Sequence, residues 1–355
     1  MIQQAFRHRL FWPVVVLVTL LLSNLFFSRT FFNIRIQDGH LYGSLIDIIR
    51  YSAPLVLMAL GMTLVIATGG IDLSVGSVAA IAGALACLYI SERGNQNSVG
   101  GVLIAVGLGV GVAAVAGLWN GLLVARLGIQ PIIATLILLV AGRGVAQLIT
   151  EGQIITINSA PYKTIGGGYL LGLPNPFLIA VAAFIVAGIL VRRSALGLLI
   201  EAVGGNAEAS RLVGIRSRRL ILLAYVFSGL TAGIAGLILS SNVSAADGNN
   251  AAQWYELDAI LAVVIGGTLL AGGRFYLSGT LLGALIIQTL TTTIYTIGVS
   301  PNVTLLFKGV VVLAVCLIQS PQFRAKVGGR RRRSGPTDPP SEPVPAPTTR
   351  QEVSA

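Results

Sequence analysis

Few side chains in this sequence could do chemistry, and they do not converge. His8 and His40 stand in terminal or loop stretches, and Cys87 and Cys316 lie inside apolar runs. No Cys/His or His/Asp pair, metal-ligand spacing or disulfide framework follows from them, and no cofactor is expected. The Gly-x-x-x-x-Gly-Lys-Ser/Thr phosphate loop is absent, so any nucleotide chemistry would belong to another polypeptide. What remains is polar groups set in apolar surroundings. Asp72 lies between two apolar runs, with Ser74 and Ser77 beside it. A charge inside a bilayer is costly and often functional. At the surface the same carboxylate would cap the helix that follows, and that reading is favoured. Asn120, Thr135, Arg143, Gln147, Asn242, Gln288 and Thr291 to Thr293 also fall in or near helices. Hydrogen bonding between helices is the ordinary role for each. Arg143 needs a partner such as Glu151 or backbone carbonyls, or must snorkel to the surface. Trp119 and Trp254 read as interfacial or packing residues.

One polar segment, Glu201 to Ile215, is flanked by Arg192, Arg193, Arg216, Arg218 and Arg219. Gly204 and Gly205 precede a helix-prone run, 206–213. Asn206 can cap that run by accepting from a free N–H of the first turn, and Gly214 can end it. The segment reads as a short helix at a membrane surface, held between spanning helices. It suits docking a second protein, and an ordinary cytoplasmic loop obeying the charge rule accounts for it equally well.

The elements that must position these groups are set by composition. Of 355 residues, 54% are apolar and only 10% charged, against about a quarter charged in soluble domains. Such a chain belongs in a bilayer. Its net charge of +11 is gathered at the N-terminus, the central segment and Arg330 to Arg333. This clustering follows membrane topology, and the basic faces are too short for a nucleic-acid groove.

A spanning helix needs about 20 mostly apolar residues. Ten runs qualify: 11–27, 51–68, 75–90, 100–125, 131–150, 176–191, 220–239, 257–270, 277–297 and 301–318. The first lacks a small-residue cleavage site and is read as a retained helix. With Arg7 and Arg9 inside, ten crossings place Arg126, the central arginines, Arg274 and the C-terminal arginines inside. The acidic loop at Asp247 falls outside. Both termini are therefore expected in the cytoplasm. Gly69 to Ser74 carries no cation, so it reads either as a surface turn or as a re-entrant break. The domain expectation is a membrane unit over 1–319. A basic, then Pro/Ser/Thr-rich tail over 320–355 cannot bury apolar surface and is expected to be disordered. Val65 to Gly70 resembles Val264 to Gly267, each at a Gly-rich break after an apolar run. Helices two to five and seven to ten could be pseudo-symmetric halves with a transport path between them. Chance likeness of Gly-rich membrane helices explains the match as well.

The stretch Gly61-Met-Thr-Leu-Val-Ile-Ala-Thr-Gly-Gly-Ile-Asp-Leu-Ser-Val-Gly-Ser77 is similar to the signature of ribose-type sugar importer permeases. So are Trp119-Asn120-Gly121, Ile129-Gln130-Pro131, Ala134-Thr135-Leu136 and Ala262 to Arg274. The likeness runs to about Gln319. Gln37-Asp38-Gly39, Gly43-Ser44, 141–150, 257–262 and Phe275 resemble the permeases of galactofuranose importers more narrowly. The resemblance implies an all-α, polytopic permease subunit of an ATP-binding cassette importer in a bacterial inner membrane, without enzymatic activity of its own. Its implied partners are a separate ATPase subunit and a periplasmic or extracytoplasmic sugar-binding protein. A second, different permease would make a heterodimer, with a homodimer as the alternative. It implies that Glu201, Ala202, Gly204, Gly205, Asn206, Ala209, Arg211, Gly214 and Ile215 form the loop that couples to the ATPase. Asp72, Ser74, Asn120, Thr135 and Gln288 are the candidates for the sugar's path. Galactofuranose is the first substrate expected, then ribose or another pentose or hexose. A rival class is an ion-coupled secondary transporter, which would need intramembrane charges beyond Asp72 and Arg143. A structural subunit with no path is the third reading.

Overall fold

Long apolar runs become helices because a backbone in lipid must satisfy its own hydrogen bonds. The computed structural model describes residues 10–27, 30–37 and 39–298, together with 303, 305, 306, 308–310, 313 and 317. Its helices are α1 (Phe11–Phe27), α2 (Ser44–Ala67), α3 (Val75–Ser91), α4 (Val99–Ala125), α5 (Pro131–Ile149) and α6 (Ala160–Gly167). They continue with α7 (Asn175–Arg192), α8 (Leu196–Gly205), α9 (Ala207–Leu212), α10 (Ser217–Val243), α11 (Tyr255–Ile265) and α12 (Leu277–Ile297). Six of these, α2, α4, α5, α7, α10 and α12, are long and apolar enough to cross a membrane. Of the expected tenth helix, the few described residues are helical, and the tail over 320–355 lies outside the described residues.

Helix starts follow local chemistry. Ser98 caps α4 by accepting from the Gly101 N–H at 3.3 Å, and Pro131 opens α5, where its missing N–H costs nothing. The all-α expectation holds for the long elements. Three antiparallel ribbons were not expected: β1 (Arg35–Gln37) with β2 (His40–Tyr42), β3 (Ile154–Thr156) with β6 (Ala245–Asp247), and β4 (Tyr169–Leu170) with β5 (Leu173–Pro174). The β3–β6 pair ties the loop after α5 to the loop after α10. Strands of two or three residues carry no readable alternation, so their pairing depends on how the helices bring the loops together.

The core lies around α2 and α10. α10 packs on α4, α2 and α3, while α12 packs on α2, α11 and α1. The most apolar windows of α2 and α10 are 83% and 61% buried, against 33%, 22% and 22% for α4, α5 and α7. The latter three therefore offer their sides to lipid or to another chain, through residues such as Val115, Val140 and Leu148. Without a hydrophobic drive between helices in lipid, small residues permit the close approach. Gly229 of α10 sits against Ala113 and Gly117 of α4, and Gly236 against Ala79 of α3.

Candidate functional site

The central polar segment folds as two short helices, not one. Gly204 and Gly205 are the last residues of α8, and Asn206 stands between α8 and α9. Asn206 Oδ1 accepts from the N–H groups of Glu208 at 3.0 Å and Ala209 at 2.9 Å, which is the expected cap. Past α9, Gly214 takes a φ of +89° and the Ile215 N–H returns to the Ser210 carbonyl, which is the expected stop. Ala202, Gly205, Ala209, Arg211, Leu212 and Val213 are exposed, and Glu201 and Ile215 are half-buried. The Arg211–Glu208 ion pair, 3.6 Å apart, is exposed and contributes little.

Gly204 is where this surface meets the bundle. A Cβ there would lie 1.8 Å from the Ala67 carbonyl oxygen and 2.4 Å from the Gly273 nitrogen. Those two atoms are themselves hydrogen-bonded at 3.0 Å. The end of α8 thus rests on both Gly-rich breaks at once, the one after α2 and the one after α11. The two breaks share a geometry. Gly69 and Gly267 have φ of +84° and +90°. The next N–H in each, Gly70 and Thr268, returns to Val65 and Val263. Glycine alone takes this left-handed turn without strain. The matching pair is therefore the end of helix two and the end of helix eight. That is one helix out of step with halves running from two to five and from seven to ten.

The first break turns back into the protein, burying Gly70, Asp72 and Ser74. Asp72 Oδ1 accepts from the Ser74 N–H at 3.0 Å and the Ser74 hydroxyl at 2.6 Å. Asp72 Oδ2 accepts from Ser228 Oγ of α10 at 2.8 Å. Asn120 of α4 donates to Ser74 Oγ at 2.8 Å, and Thr135 of α5 donates to the Ile71 carbonyl at 3.2 Å. Four of the five path candidates thus meet in one buried network joining α3, α4, α5 and α10. Asp72 is not the helix cap itself: Ser74 holds that position, and its side chain makes no cap hydrogen bond. Arg143 donates to the Ala251 carbonyl at 2.7 Å, so a backbone carbonyl, and not Glu151, is its partner. Asn242 accepts from Arg50 at 2.6 Å, joining α10 to α2.

Gln288 lies elsewhere, in the wall of a 770 Å³ cavity. Asp47 and Tyr51 of α2, Trp254 and Asp258 at the start of α11, and Thr291, Thr292 and Tyr295 of α12 line it too. Lys308 and Asp258 close one side as an ion pair at 2.5 Å. Sequence reading missed this wall. Its signal was the pair of opposite charges inside the eighth and tenth apolar runs, and the two neutralise each other. Trp254 holds a φ of +69°, an uncommon conformation for a bulky residue, which sets its ring at the cavity. The cavity lies at the N-terminal end of α2, and Gly204 touches the other end. At 24 residues the helix between them is about 36 Å long.

Among the described residues no cluster could hold a metal ion. A bundle of membrane helices, a polar cavity at one end and an exposed helical element at the other describe a transport subunit. The chain belongs to the family of branched-chain amino acid transport system permease components, whose model matches residues 44–316. It is a multi-pass membrane permease subunit, and ATP hydrolysis belongs to a separate subunit. It is 50% identical over 332 residues to the galactofuranose transporter permease protein YtfT of Escherichia coli (strain K12), covering 92% of this chain and 96% of that one. It is 40% identical over 338 residues to the fructose import permease protein FruF of Bifidobacterium longum, covering 94% and 93%. It is 38% identical over 281 residues to the ribose import permease protein RbsC of Escherichia coli, covering 78% and 85%. The resemblance to ribose-type sugar permeases is thereby borne out. No solved structure matches the chain.

Proposed function

We propose that the chain carries a monosaccharide, with galactofuranose first, across a bacterial inner membrane as the permease of an ATP-binding cassette importer. The observation that carries this reading is the 50% identity to a galactofuranose permease over nearly the whole of both chains. Fructose and ribose follow, from the other relatives. A binding protein delivers the sugar, an ATPase drives it, and a second permease completes the pore, as a heterodimer first and a homodimer otherwise. The chain crosses ten times with both termini cytoplasmic. Uptake by the reconstituted importer, with galactofuranose, fructose and ribose in turn, tests the substrate. Galactofuranose is expected to compete best, and uptake of none of the three removes the reading.

The segment 201–215 receives the ATPase, through Arg211, Leu212 and Val213 on its exposed side. Gly204 passes movement to the ends of α2 and α11. α2, and α12 after the second break, carry it to the cavity. The cavity's amide, hydroxyl, carboxylate and aromatic groups fit a sugar's hydroxyls and ring faces better than the buried network does. Gln288 is therefore the path residue, while Asp72, Ser74, Asn120 and Thr135 hold the break in shape. Gln288→Leu keeps the volume and removes the amide. Uptake is expected to fall about tenfold, as for one lost hydrogen bond to a bound solute, with thermal stability unchanged. Unaltered uptake would move the path elsewhere.

A further inference from the structure

A second cavity, of 710 Å³, lies where α4 ends and α10 begins. Five arginines line it: Arg126, Arg211, Arg216, Arg218 and Arg219. Among the described residues no carboxylate lines it, and Glu208, which pairs with Arg211, is exposed. All five arginines are exposed, so water screens much of their mutual repulsion, and an anion among them would lower what remains. The N-terminus of α10, a 27-residue helix, opens at the same place and adds the positive end of its dipole.

What that anion is attached to follows from the next cavity. An apolar groove of 230 Å³ runs along α10, walled by Leu190 and Val191 of α7, Leu196 of α8 and Leu220, Leu223 and Phe227 of α10. Leu223 belongs to both cavities and is half exposed. The cationic cavity and the apolar groove thus adjoin at Leu223, on the side of a helix long enough to span a membrane. α4 and α10 are both long enough to cross a bilayer, so the arginines stand at the level of the headgroups. A free phosphate needs no such channel, and an acidic protein surface would not enter one.

We propose that this is a binding site for an anionic glycerophospholipid, its phosphate among the arginines and one acyl chain in the groove. Because Arg211 and Ile215, which belong to the ATPase-receiving segment, also line the cavity, the bound lipid braces that segment from the membrane side. The site itself does not depend on the sugar or on the ATPase reading.

Native mass spectrometry of the full permease complex, released from nanodiscs of mixed phosphatidylcholine and phosphatidylglycerol, tests this. Phosphatidylglycerol is expected to stay bound after phosphatidylcholine is lost. Arg126→Ala, Arg218→Ala and Arg219→Ala together should lower its retention on the order of a hundredfold, since each cation near an anionic headgroup contributes about a factor of five. Leu223→Glu should lower it as well, by placing a carboxylate at the seam. ATPase co-purification should be unchanged in both variants. Equal retention of the two lipids by the unaltered chain overturns the proposal, and that comparison stands even where a variant fails to fold. So does full displacement of the lipid by inorganic phosphate, which would make this a small-anion site. Loss of the ATPase from the triple variant, with no lipid held by the unaltered complex, would assign the arginines to a protein face instead.

Discussion

Gly204→Ala is expected to lower coupled uptake at least tenfold, while Gly205→Ala, one residue on, should leave it intact. Both changes add the same methyl group to the same turn of α8. At Gly205 the added Cβ meets nothing within 4 Å. At Gly204 it would lie 1.8 Å from the Ala67 carbonyl oxygen, and the atoms around it are backbone, with no flexible side chain to yield. Either α8 lifts from the two breaks, or the Gly273–Ala67 hydrogen bond opens. Overpacking and a lost hydrogen bond together cost about 2–4 kcal/mol, enough to shift the resting position of α8 by more than tenfold in population. Uptake in proteoliposomes should fall at least tenfold, while ATPase activity persists without response to sugar-loaded binding protein. Equal activity of the two alanine variants would mean that contact at Gly204 transmits nothing.

Asp72→Ala has the larger effect on stability. The carboxylate accepts from Ser74 N–H, Ser74 Oγ and Ser228 Oγ, and all of these groups are buried. Alanine leaves two hydroxyls and an N–H without this acceptor, at about 1–3 kcal/mol for each buried group left unpaired. A total of about 3–9 kcal/mol follows, seen as a large fall in the thermal midpoint of the detergent-solubilised chain. Asp72→Asn separates shape from charge. Its carbonyl oxygen can accept from Ser74 and its amide can donate to the Ser228 hydroxyl. More than half of the lost stability should therefore return, and uptake with it. A stable Asp72→Asn chain without uptake would instead make the negative charge itself part of transport.

The parts readable from sequence are those set by neighbours along the chain. Asn206 as cap and Gly214 as stop depend on two or three residues each, and both lie as expected. The long apolar runs report their own solvent. Asp72 shows the limit. Its spacing from Ser74 made a local turn visible, but Ser228 is 156 residues away, and nothing in the chain order points to it. The same holds for Gly204, whose neighbours Ala67 and Gly273 come from opposite ends of the chain. Two glycines in a polar stretch look like loop punctuation until the helices behind them are packed. Gln288 could be picked out as polar, yet its cavity is built by α2, α11 and α12 together. Asp258 and Lys308 each look like an isolated charge within an apolar run. Only the folded bundle makes them a pair.

Coupling through Gly204 requires that the surface of α8 and α9 face the cytosol and be covered by the ATPase. Val213, 77% exposed just past α9, can be replaced by cysteine in a chain whose Cys87 and Cys316 are changed to alanine. A membrane-impermeant maleimide should label it in inside-out vesicles stripped of the ATPase, and not in right-side-out vesicles. Adding the ATPase subunit back should block the labelling. Modification from the outer side, or undiminished labelling with the ATPase bound, would contradict the account.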